Sequence, residues 1–482
     1  MTDVTSTPSA VADTASATHP APLARRSLAW LAILFALGLT LALAAQLTSF
    51  APDDEALTPA LLQQILNGHA LLLVFFCALP ALTHVFGQLA LPAAVGREDH
   101  AYPSLGQWGF RLYVIAGAAV VLAITLGAVP AQWSLVGASA LENGTVGAVL
   151  AIGLHLMSLS MIAVALNHLA TIFGGEREDD APVSLVAWVF GVVALGVLAV
   201  APAMASWSIL FLVEGTGTEL FGLGADHTWS TFARLFGYVE FGAGMLVLVL
   251  GIGLGMHFLT AAAARRLDTG SRVGPALAAL LLLGLFAGAH PLGQGASTAV
   301  VGSALRLAMA IPAAVLLHAL WSVARAGMAR IDAAVLHSLA FVLHVTVVAA
   351  SGLALASLAT GPVLIGTKFA AAHQHLLFAG GGLAIFFAAC HHWWAMLFGE
   401  ALDEAAGVWG ATLLLAGTQL TFLPGLILGA QGVLVGEFVL PAPLQDLAGL
   451  TAFGAVILAV GVLIEGWAML KALLKRQERG TA

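Results

Sequence analysis

Twelve apolar runs, each long enough to cross roughly 30 Å of hydrocarbon as a helix, divide this chain from end to end. They lie near residues 28–49, 62–92, 107–128, 145–173, 183–213 and 231–260, then 275–297, 299–325, 333–359, 370–398, 407–432 and 446–472. Only 9% of the 482 residues are charged and 60% are hydrophobic, with a mean hydropathy of +0.99. A soluble globule of this length could not hide so much apolar surface, whereas lipid solvates it directly. Within lipid each backbone amide must find its partner inside the segment, so the runs are read as helices. The fold class expected is therefore an all-α polytopic membrane protein of about twelve transmembrane helices.

The segments divide as residues 1–27, 28–472 and 473–482. The first is rich in Ser, Thr, Ala and Pro, lacks an early apolar stretch, and reads as a disordered cytoplasmic tail, not a signal peptide. The second is one twelve-helix transmembrane domain, and the third a basic cytoplasmic tail. Cys77 and Cys390 lie inside apolar runs and read as core residues, without a disulfide framework or metal-site spacing. A net charge of −8 spread over short loops gives no footprint for nucleic acid; membrane lipid is the partner that the composition demands.

Basic residues set the orientation. With the N-terminus in the cytoplasm, that side receives Arg25, Arg26, Arg97, Arg177, Arg265, Arg266, Arg272, Arg325, Arg330, Lys471, Lys475, Arg476 and Arg479. The opposite loops hold only Lys368, while Arg111, Arg234 and Arg306 lie at or within helices. The chain is thus expected to be multi-pass in a bacterial-type inner (plasma) membrane, with both termini cytoplasmic.

Sixteen histidines are many for so apolar a chain, and an intramembrane ionisable group is by default a functional candidate. For a lone histidine the plainer account is a neutral imidazole bonded to a helix carbonyl. Depth separates the candidates: His69 on the second run, His373 and His375 on the tenth, and His290 on the seventh share one layer near the outer surface. Residues two apart on a helix point about 200° apart, so His373 and His375 cannot ligate one iron together but can serve two, one on each side of the helix. With His69 completing a bis-imidazole pair with His375, one heme iron is saturated for electron transfer. The iron on His373 keeps an open face for a small ligand. The adjacent His391-His392, followed by Trp393-Trp394, reads as an interfacial belt, with a second metal site as the alternative.

These residues resemble subunit I of the heme-copper oxidases. Gly68-His69 through Pro80-Ala81-Leu82 and Phe86-Gly87 looks like that family's second helix, and Leu154-His155-Leu156 through Asn167 its fourth. Ala289-His290 begins like the seventh, Ala310-Ile311-Pro312 like the eighth, Ala372-His373-Gln374-His375 through Phe398-Gly399 like the tenth, and Thr421-Phe422-Leu423-Pro424 like the eleventh. The order of these stretches is more specific than any one of them. The resemblance implies two hemes of unassigned type: His69 and His375 on a low-spin heme, His373 on a high-spin heme. It also implies an oxidoreductase in a complex with other subunits, taking electrons from a cytochrome or quinol.

The family's copper ligands do not carry over. Phe241, Ala243 and Met245 stand where the resemblance expects histidine, glutamate and tyrosine, and Pro291 replaces the neighbour of His290. His290 is a remnant copper ligand, and one imidazole does not hold copper tightly, so a vacant or altered copper site is expected. Leu316 stands at the lysine of one proton channel, Asp99 matches the entrance acid of the other, and Leu434-Val435 replaces the paired arginines that bind heme propionates. Glu240, buried in an apolar helix beside Phe241, is the candidate catalytic residue, as proton donor or hard-metal ligand near the open heme face. Its plainer alternative is a carboxyl bonded to a neighbouring helix. The expected function is electron passage from low-spin to high-spin heme, with oxygen or another small molecule such as nitric oxide as acceptor. Alternatives are a non-catalytic heme protein (carrier, store or gas sensor) and a structural pseudo-subunit without heme.

Overall fold

The computed structural model describes residues 21–47, 58–127, 144–174, 183–214, 225–263, 270–289, 296–437, 440 and 442–480. His290 and Pro291 lie outside the described residues, as do Arg177, Arg265 and Arg266 of the charge pattern and residues 1–20 of the expected tail.

Among the described residues twelve helices have the length and apolarity to cross a membrane. In chain order they are α1 (Ala21–Ala45), α2 (Gln64–Ala94), α3 (Pro103–Thr125), α4 (Thr145–Phe173), α5 (Leu185–Val213) and α6 (Ala233–Ala262). The second half comprises α7 (Arg272–Ala289), α8 (Ala299–Arg325), α9 (Ala333–Ala356), α10 (Lys368–Phe398), α11 (Glu404–Ala430) and α12 (Ala442–Glu478). Among the described residues helix runs from Ala21 and as far as Gly480, so it includes part of both stretches expected as tails. Among the described residues β-pairing is limited to two isolated bridges, Ala263 with Met328 and Thr367 with Leu434.

Burial sorts the helices. The most apolar window of α2 is 83% buried and that of α6 78%, against 22% for α8 and α12. α2 and α6 are therefore interior, while α8 and α12 turn Ile311, Phe453, Leu463 and Trp467 outward, as lipid-facing helices do. Polar caps begin several spans: Asp332 Oδ1 accepts from Val335 N at 3.0 Å, Thr367 Oγ1 from Phe369 N at 3.2 Å, and Asp403 Oδ1 from Ala405 N at 3.1 Å. Each satisfies an amide that has no partner within its own helix. Gly399, at φ 85°, supplies the left-handed residue that stops α10.

Two helices depart from regular α geometry where the candidate residues sit. α2 widens to π-helix over Leu72–Ala78 and Ala81–Gly87, on either side of Pro80. Proline has no N–H, so the carbonyl four residues earlier loses its donor. That carbonyl is Phe76, and the buried Tyr113 hydroxyl of α3 donates to it at 2.5 Å. α10 widens over Leu376–Gly382, directly after His375. Its start is pinned by the turn after α11: Lys368 N donates to Val433 O at 2.9 Å and Val435 N to Gly366 O at 3.1 Å.

Candidate functional site

α2 and α10 bring the rings of His69 and His375 together, with centroids 6.2 Å apart and planes within 23° of parallel. An imidazole nitrogen bonds a first-row metal at about 2 Å; two such bonds in line, plus about 1 Å of ring radius at each end, span about 6 Å. The 6.2 Å centroid separation matches that of two imidazoles on opposite sides of one ion.

Ring anchoring agrees with that fit. His375 Nδ1 donates to Ala371 O at 2.7 Å, which leaves the lone pair on Nε2. His69 Nδ1 is buried without a hydrogen bond of ordinary geometry, although the Ile65 and Leu66 carbonyls lie beside it. Phe422 of α11 covers His375, centroid to centroid at 4.8 Å.

His373 is anchored by a different helix. Ser351 of α9 gives its own proton to Val347 O at 2.8 Å, so its oxygen accepts from His373 Nδ1 at 2.9 Å. The lone pair of His373 again falls on Nε2. Between the two histidines, Gln374 Nε2 donates to Glu240 Oε1 of α6 at 2.6 Å. Glu240 is thus bonded to a neighbouring helix, and that helix is the one carrying both candidate ligands. Ser351 carries no sequence signal that would have marked it; Gln374 and Phe422 lie in stretches the sequence singled out, but their roles exist only across helix contacts.

The α6–α7 side is apolar. Phe241 packs on Gly288 and Met245 on Gly284, while Ala243 is buried. These side chains offer no nitrogen or oxygen donor, so the described residues do not fit a three-imidazole copper ion. Leu316 is fully buried in the core. Asp99 and His100 border a cavity of about 370 Å³ together with Arg26, Gln88 and Gln107. His100 Nε2 donates to Gln88 O and its Nδ1 meets Thr171 Oγ1, each at 3.1 Å. Burial pushes its pKa down, which favours the neutral ring.

Several other histidines bond to neighbouring groups within the bundle through at least one ring nitrogen. His344 Nδ1 donates to Ala340 O at 2.7 Å, His155 Nδ1 lies 3.2 Å from Ala205 O, and His84 Nε2 meets Ser160 Oγ at 2.9 Å. His391 is the exception to its expected role in an interfacial belt. With His337 it grips Glu465 of α12, at 3.0 and 2.8 Å. Neither Glu465 nor this grouping stood out in the sequence. The rule that marks Glu240, an acid inside an apolar run, applies equally to Glu465.

Residues 23–464 match the family model described as cytochrome C and quinol oxidase polypeptide I. The chain belongs to that family. Cytochrome c oxidase subunit 1 of Thermostichus vulcanus is 24% identical over 443 residues, covering 89% of this chain and 79% of that protein. The subunit 1 of Bacillus subtilis (strain 168) is 24% identical over 427 residues, covering 86% and 68%. A solved heme-copper terminal oxidase dimer superposes with a TM-score of 0.78 at 13% identity, over 94% of this chain and 84% of that one. At that identity the superposition speaks for the fold alone. The chain is accordingly a heme-copper-oxidase-type subunit I, a multi-pass membrane protein of the respiratory electron-transport class. Members of this class are oxidoreductases that normally carry hemes and copper and work in multi-subunit membrane complexes.

Proposed function

We propose that this chain is the heme-binding core of a respiratory oxidase-type complex, carrying electrons from a low-spin heme site made by His69 and His375 to a high-spin heme site made by His373. The observation that carries this reading is the 6.2 Å approach of the His69 and His375 rings. Iron saturated by two imidazoles supplies one-electron transfer, and iron held on one side supplies a face for a small ligand.

The residues of the chain have separable tasks. His69 and His375 clamp from two helices, so the gap between them is set by α2–α10 packing. The Ser351 hydroxyl fixes the plane and tautomer of His373. Gln374 ties the Glu240 carboxyl to the same helix, which makes Glu240 the proton-holding group of the His373 site. Electrons arrive from a cytochrome or quinol through partner subunits, and both termini face the cytoplasm, following the basic-residue bias.

Phe241 and Met245 favour a second reading, a heme protein that carries electrons or binds gas without multi-electron turnover, because neither side chain offers a nitrogen or oxygen donor to a metal. One preparation separates the two: a pyridine hemochrome with metal analysis, carbon monoxide binding and oxygen uptake with a reductant. The oxidase reading expects two hemes per chain, carbon monoxide on one, and oxygen consumption. Two hemes without turnover, for oxygen or nitric oxide, selects the second reading. A chain that takes up no heme sinks both.

A further inference from the structure

At the other end of α10 from the heme candidates, three helices converge on a fully buried carboxylate. Glu465 of α12 has side-chain exposure of 0%, as has His337 of α9, and His391 of α10 has 4%. His337 Nε2 lies 2.8 Å from Glu465 Oε1 and His391 Nε2 lies 3.0 Å from Oε2. The three ligand atoms are all within 4.8 Å of one another. Among the described residues no other group of three His, Cys, Asp or Glu side chains is so arranged.

The surrounding packing makes room for this group. α11 presents Gly407 and Gly410 to it: a Cβ on Gly407 would collide with the His391 ring, and one on Gly410 with the Glu465 carboxylate. The two imidazole rings are 5.7 Å apart and within 23° of parallel, close to the 6.2 Å and 23° of the His69–His375 pair. A carboxylate removed from water needs a compensating positive charge. Two imidazole nitrogens and one carboxylate are the donor set of many zinc sites, and imidazole suits first-row divalent ions generally.

We propose that His337, His391 and Glu465 bind a divalent transition-metal ion, zinc by its donor set, which clamps α9, α10 and α12 together. Binding puts the ion in place of the two Nε2 protons on the imidazole–carboxylate bonds; each neutral ring keeps its one proton by carrying it on Nδ1, and only a proton held beyond neutral imidazole and ionised carboxylate leaves to solvent. His337 Nδ1 is buried without a partner. A ligating His337 therefore lacks the outer hydrogen bond that usually stiffens a metal-bound imidazole, which makes this ion exchangeable. The proposal is independent of the heme assignments.

The test uses the full chain without an affinity tag, in detergent, stripped with a chelator and then equilibrated with zinc sulfate. One zinc per chain is expected, with X-ray absorption showing two imidazoles and a carboxylate oxygen. Glu465→Gln should weaken zinc at least tenfold and leave the heme bands unchanged. Equal zinc retention by wild type and Glu465→Gln, no zinc in the wild type, or zinc without imidazole scattering would each overturn the site. Should Glu465→Gln fail to accumulate, the wild-type absorption spectrum decides alone.

Discussion

α10 carries histidines at both ends, and the two ends treat the imidazole in opposite ways. His375 and His391 are separated by 16 positions, about 24 Å along a helix. At the His375 end the inner ring nitrogens are tied down, to Ala371 O for His375 and to Ser351 for His373, which leaves the lone pair of each on Nε2. At the His391 end the Nε2 atoms are the ones engaged, by the carboxylate of Glu465. The first arrangement presents lone pairs to a guest. The second is complete with protons alone, and accepts a cation only when those protons vacate Nε2. The same residue type on the same helix is thus tuned by which nitrogen its neighbours occupy.

The sharpest way to break the comparison is to remove one imidazole of the facing pair. His375→Ala should cost one heme per chain and abolish the bis-imidazole visible bands, with His69→Ala giving the same spectrum. Unchanged bands in both would remove the distinction between the two ends. Ser351→Ala leaves His373 in place but frees its Nδ1. Loss of such an anchor typically weakens metal binding about 10–100-fold, so heme at the His373 site should dissociate faster while the bis-imidazole bands persist, as stopped-flow transfer to apomyoglobin would read.

A smaller effect is expected one helix away. Tyr113→Phe leaves the Phe76 carbonyl beside Pro80 without its donor, at a cost of about 1–3 kcal/mol. Thermal unfolding should register this loss while heme content stays near wild type. Smallest is the Asp403–Lys471 pair at the His391 end, 2.9 Å long and partly exposed. The Lys471 ammonium, and then the α11 amides, hold the Asp403 carboxyl below its ordinary value of 3.8. A depressed carboxyl stabilises the fold above its unfolded pKa and loses that contribution as pH falls through the folded one. Asp403→Asn should therefore lower stability by roughly 0.5 kcal/mol or less at neutral pH, and the difference from wild type should shrink as pH falls below 3.8 toward the depressed folded value.

Much of this architecture was legible residue by residue. Lipid exposure acts on each side chain separately, so apolar run length located all twelve spans, with α1 beginning earlier, at Ala21. The His373–His375 spacing was legible for a similar reason, since helical rotation is a local property. Glu240 stood out as an acid in an apolar run, yet nothing local showed that Gln374 holds it.

Sequence alone therefore determined the solvent, the number of spans and which side chains must sit in the membrane at a cost. Tertiary structure decided how those costs are met. His337 and Glu465 are 128 positions apart and Tyr113 and Phe76 are 37 apart, so no periodicity links them. Hydropathy is a sum over single residues, whereas a satisfied buried polar group is a relation between helices. Only their packing fixes which imidazole nitrogens meet the chain's own carboxylate and which are left to face each other across a gap.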